Sequence, residues 1–171
     1  MTTPDATEAG TSAPPHGPGR GQRGLSDGCR RSLAAGRLVG EGQDLVGWYV
    51  GQRVCLKQDH GAPARPPLRV RPGDSVTLGR TDGTWPAFIW TENSDGVGGW
   101  VPHWHVRRTG EGEAAEVIRG YDTTELSAGV GTVVEVVEVD EESGWLRCRA
   151  GDGGVGWVPV LALEPVDNAA A

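Results

Sequence analysis

The chain is poor in the residues that build large cores. It has one Phe, one Met and two Tyr, and only 37% of its 171 residues are hydrophobic. So sparse an apolar content argues against a single large core and favours small domains. No apolar run approaches the ~18 residues of a membrane span, and no stretch sustains a helical period. Three cysteines, Cys29, Cys55 and Cys148, match neither a zinc knuckle nor a CxxC redox pair. They read as reduced thiols, with Cys55 and Cys148 as small core hydrophobes. The opening MTTPDATEAG has no basic region before an apolar core, so no secretory signal and a cytoplasmic protein are expected. No nucleophile stands with a base and an orienting acid, and no phosphate loop or metal set is present, so the expectation is a non-enzyme without cofactor or metal.

What the chain does have is tryptophan. Seven Trp among ten aromatic residues concentrate the apolar area in a few large rings, as in small β-barrels and peptide-binding grooves. Charge is uneven: residues 1–44 carry five positive and five negative groups, 45–110 eight and five, and 111–171 three and thirteen. The acidic last third disfavours nucleic acid, whose phosphates require a basic face, and suits a cationic partner or the mildly basic middle of the chain.

Residues 1–44, rich in Gly, Pro, Ser, Thr and Ala with scattered apolar positions, predict a disordered arm. From Leu45 short apolar runs alternate with Gly, Pro and Asp: RVCLK, LRVRPGDSVTL, WPAFIW, GGWVP. These read as strands joined by turns. After a polar joint at 109–113 the same order returns as EVIRGY, ELSAGVGTVVEVVEV, GWLRCRA and VGWVP. Leu68, Gly73, Val76 and Leu78 match Leu126, Gly131, Val134 and Val136 at an offset of 58, Trp85 matches Trp145 at 60, and Trp100 matches Trp157 at 57. The register holds within strands and slips in loops, which marks two copies of one fold.

The order ELSAGVGTVVEVVEVDEESGWLRCRAGDGGVGWVP resembles the SH3 domain, in the variant form of bacterial proteins, and LRVRPGDSVTLGRTDGTWPAFIW with GGWVP resembles it a second time. The resemblance implies an all-β chain of two tandem five-stranded SH3-like barrels, at 45–108 and 114–167, with an arm at 1–44, a linker at 109–113 and a tail at 168–171. It further implies a non-enzymatic adaptor that seats a proline-rich or basic peptide on aromatic rings. The groove positions fall on Trp145, Pro159 and Tyr121 in the second copy and on Trp85 and Pro102 in the first. Asp122, Glu125, Glu141 and Glu142 are then the acidic partners for a basic residue of the ligand.

The copies depart from the family after the groove proline. Val160-Leu161-Ala162 replaces Ser-Asn-Tyr in the second copy, while His103-Trp104-His105 keeps rings in the first, making Trp104 and His105 ligand candidates. His103 and His105 have a spacing that metals use on strands, but no third ligand is near in sequence. Trp100 and Trp157 read as packing residues. Two further expectations concern internal contacts. The arm around Pro15, Pro18 and Arg20 has the form of a groove ligand, and the basic first copy suits docking on the acidic second. The alternative to an adaptor is therefore a structural or autoinhibited two-barrel unit whose grooves are occupied internally.

Overall fold

The computed structural model describes residues 47–166. The arm at 1–44, with Pro15, Pro18 and Arg20, and the tail at 168–171 lie outside them. Among the described residues there is no α-helix, and no helix is long and apolar enough to cross a membrane. Twelve strands and two single turns of 3-10 helix make up the regular structure.

The strands are β1 (Arg53–Leu56), β2 (Arg69–Val70), β3 (Ser75–Thr81), β4 (Phe88–Glu92), β5 (Gly98–Pro102), β6 (Val106–Arg108), β7 (Ala114–Val117), β8 (Tyr121–Asp122), β9 (Val133–Asp140), β10 (Trp145–Arg149), β11 (Val155–Pro159) and β12 (Leu163–Pro165). Alternation sets the faces: in β3 Val76 and Leu78 are buried between exposed neighbours, and in β9 Val134 and Val136 flank exposed Glu135. Gly73 and Gly131 open the equivalent strands β3 and β9 with φ of 93° and 84°, a turn geometry in which a side chain is strained. The two turns therefore repeat as well as the two sequences.

Pairing does not follow the sequence boundary at 109–113. One five-stranded sheet has the order β5-β4-β3-β7-β6 and the other β11-β10-β9-β1-β12. Strand β1, from the first repeat, lies between β9 and β12 of the second, with Val54 opposite Val134 and Leu56 opposite Leu163. Strand β7, from the second repeat, lies between β3 and β6 of the first, with Val117 opposite Val106. Each five-stranded sheet thus takes one strand from the other half of the sequence. Residues 109–113, expected as a linker, form the turn between β6 and β7 within one sheet. Neither sheet closes in the pairing, since the end strands of each order do not meet.

The exchange requires the chain to cross twice between the halves, at 57–68 and at 118–132. The two crossings run side by side. His60 bridges Ala128, Leu68 N–H donates to the Thr123 hydroxyl at 2.8 Å, and β2 pairs with β8. Two cores result. Val54, Leu56, Val134, Val136, Leu146 and Val158 anchor one, with β1 contributing to the second half. Leu68, Val76, Leu78, Val101, Ala115 and Val117 anchor the other, which also takes in Tyr121, Trp145 and Trp157 from the second repeat.

Cys148 is free and buried, and burial pushes its thiol up to about 12. Cys55 is buried in β1 and disulfide-bonded, which corrects the expectation of reduced thiols throughout. Spacing rules recognise local metal and redox patterns but carry no information on a single bridge.

Candidate binding site between the halves

The first repeat's equivalent of Trp145 is not Trp85. Trp145 starts β10 opposite Pro159, and Phe88 starts β4 opposite Pro102. The remaining pairs follow at a constant offset of 57, so Phe88, and not Trp85, is the register equivalent of Trp145. Matching one tryptophan to another placed the gap wrongly: Trp85 lies in the turn before β4, where Asp82 accepts hydrogen bonds from the Thr84 and Trp85 N–H groups at 2.8 and 2.7 Å.

Trp85 nevertheless reaches the site, from the opposite side. Its ring meets that of Trp145 edge to face at 5.5 Å, and Phe88 and His60 approach Trp145 at 6.2 and 5.7 Å. Trp145 is consequently only 5% exposed. The aromatic surfaces of the two repeats face each other rather than solvent. They line a cavity of about 30 Å³ whose walls include Trp85, Phe88, Trp100, Tyr121, Trp145 and Trp157, with Glu125, Thr123 and Arg65 at its polar side. Pro102 and Pro159 are buried at the strand ends.

Trp100 and Trp157, expected to pack, are buried in the core and also line this cavity. The signal was in the sequence. Each stands two positions before the groove proline on one strand, and a period of two puts residues i and i+2 on the same face. Tyr121 stacks on Trp157 at 5.4 Å and 16°, and the Trp157 indole N–H donates to Asp122 O at 2.8 Å, fixing both rings. Burial raises the Tyr121 hydroxyl well above its ordinary value, so it stays protonated.

The acidic candidates separate. Asp122 pairs with Arg69 at 3.0 Å across β2 and β8. Burial alone would raise its carboxyl, but hydrogen bonds from the Thr124 hydroxyl and N–H and from Arg69 outweigh it and hold the group below its usual range. Glu125 Oε2 lies 3.2 Å from His60 Nε2, in contact but without hydrogen-bond alignment. Glu141 and Glu142 are exposed and stand elsewhere, in the loop between β9 and β10.

That loop forms one wall of a second concavity of about 400 Å³. Glu138, Asp140, Glu141 and Glu142 line one side, and Trp104 and His105 the other, with Arg119 between. His103, Trp104 and His105 form a 3-10 turn and not a strand. His103 is exposed while His105 is buried, so the two imidazoles do not share a face. No group of three metal-ligating side chains occurs among the described residues. His105 Nδ1 contacts the carbonyls of Arg119 and Gly120 at 3.1 and 3.2 Å, and its ring meets Tyr121 at 5.0 Å. Burial holds its pKa below the ordinary value, against the opposing pull of those carbonyls.

Tyr121, Glu125, Trp85 and Trp145 thus come together in the small aromatic cavity. Trp104, His105, Glu141 and Glu142 come together in the larger acidic cleft, with Tyr121 reaching both. No curated protein and no solved structure matches the chain. A family comparison matches residues 120–160, from the second crossing through β11, leaving out β7 and β12. The chain carries, over residues 120–160, a match to the SH3 domain, a non-catalytic protein-interaction module.

Proposed function

We propose that this chain is a non-enzymatic protein-interaction unit that takes a basic segment of a partner protein in the acidic cleft between the Trp104–His105 turn and the loop of Glu138 to Glu142. The observation that carries this reading is the contact of Trp85 with Trp145. The aromatic rings that meet there leave only about 30 Å³ between them, too little to seat a pair of prolines. The larger concavity, of about 400 Å³, holds four carboxylates against one guanidinium. Such a field attracts arginine- or lysine-bearing segments and raises their association rate. The half-buried Trp104 ring offers a face for a cation to rest on.

The same ring contact favours a second reading, a structural unit whose grooves are occupied by each other. Titration separates the two. An arginine-rich peptide is expected to bind at low salt, to weaken as salt rises, and to lose about tenfold in affinity in the Glu138→Gln/Glu141→Gln/Glu142→Gln variant, at roughly 0.5 kcal/mol per screened pair. A proline-rich peptide without charge is expected not to bind. Absence of binding by the basic peptide favours the structural unit, and equal binding by the uncharged peptide refutes both.

A further inference from the structure

We propose that the aromatic cavity shared by the two halves is a binding site for a neutral carboxamide, the group that ends an Asn or Gln side chain, with Trp100 and Trp145 donating to its oxygen and Glu125 accepting from its nitrogen. The site is distinct from the acidic cleft, from which Tyr121 and Trp157 divide it, and the proposal does not rest on the reading of that cleft.

Three observations converge on this cavity. Trp100 and Trp145 are 7% and 5% exposed, both line it, and neither indole N–H has a hydrogen-bond partner. Glu125 Oε2, on a third lining residue, is buried and lacks an aligned hydrogen bond, with His60 Nε2 beside it at 3.2 Å. A buried polar atom left unpaired costs about 1–3 kcal/mol. Gathering three on one small cavity, at the junction of two repeats, is what a site for a polar group looks like.

The inventory of these atoms selects the ligand. Two donors and one acceptor call for a group with two lone pairs and an N–H. A carboxamide has a carbonyl oxygen with two lone pairs and an amino group with two hydrogens. An ammonium or guanidinium donates only, so it leaves both indoles unpaired, and Arg65 beside the cavity adds a like charge. A carboxylate offers nothing to Glu125 and is repelled by it. The volume agrees in scale. Since a water occupies about 10–15 Å³ of such space, a cavity of about 30 Å³ admits two small polar atoms, the O and N of an amide, with the chain that bears them at the mouth. A neighbouring groove of about 110 Å³ along Ala62, Pro63, Pro66 and Pro67 shares Arg65, Thr123 and Glu125 with the cavity.

The test is an NMR titration of the full chain, following the indole N–H signals assigned through Trp100→Phe and Trp145→Phe, with propionamide and propylammonium as matched probes. Propionamide is expected to shift both signals saturably. Propylammonium is expected to bind at least tenfold more weakly. Glu125→Met, which keeps the volume and removes the acceptor, is expected to weaken propionamide about tenfold. Where that variant does not fold, the Trp100→Phe protein, which keeps the ring and removes one donor, is held to the same tenfold loss. Shifts that do not saturate, equal binding of the ammonium, or indole-to-water cross-peaks that persist at the highest propionamide concentration each overturn the proposal, the last by assigning the cavity to bound water alone.

Discussion

Val117 belongs to the second sequence repeat yet is fully buried in the core of the first, in β7 between β3 and β6. Val117→Ala removes two methyl groups. Their transfer free energy is ~0.8 kcal/mol each. With the cavity left behind, the loss comes to about 2 kcal/mol. Read by native-state amide hydrogen exchange, that is an acceleration of about thirtyfold at the protected amides of the affected sheet. Strand exchange places the effect at Leu78 and Val101, in β3 and β5. The reciprocal variant, Val54→Ala in the first repeat, is expected to accelerate Val136 and Leu146, in β9 and β10 of the second half. An acceleration confined to β9–β11 in Val117→Ala, and to β3–β5 in Val54→Ala, would refute the exchanged topology. Equal acceleration of both sheets by either variant would show that the shared strands fuse them into one cooperative unit.

Two other substitutions probe the junction. A Cβ on Gly156 would stand 2.5 Å from the backbone of Glu125 and Leu126, so β11 and the second crossing must part. Gly156→Ala is expected to cost about 3 kcal/mol and to lower Tm by roughly 10 °C in calorimetry. His105 has a folded-state pKa below its unfolded value because burial disfavours the imidazolium. The unfolded chain therefore takes up the proton first, and the stability due to neutral His105 is full above pH ~6.5 and is lost as pH falls through the folded pKa. Denaturant titrations are expected to show a shallower loss of stability below pH ~6.5 in His105→Asn, which has an amide donor for the Arg119 and Gly120 carbonyls and does not titrate in this range.

The strands were legible because apolar alternation and turn residues are local. Val76 and Val134, or Gly73 and Gly131, can be matched without knowing what they touch. The choice of sheet for β1 was not legible. RVCL fits the edge of β3 or β9 by pattern alone, since Val76 and Val134 present the same kind of neighbour, and pairing partners 80 residues apart, as Val54 and Val134 are, leave no periodicity. The inward orientation of the aromatic surfaces follows from that same crossing and was hidden with it. Trp85 shows a different limit, in which an identical residue type outweighed strand register and displaced Phe88 from its position. Trp100 and Trp157 lay within reach of the sequence, through their spacing from Pro102 and Pro159.

Strand exchange also sets a schedule for biosynthesis. The sheet of β3 to β7 has all its strands once residue 117 is available. Strand β1 must wait longer, because its first partner strand, β9, brings Val134 opposite Val54, 80 residues downstream. At ~5–20 residues per second, β1 stays without a partner strand for about 4–16 s of translation. Its apolar residues, Val54 and Leu56, are the ones a chaperone has most reason to cover in that interval.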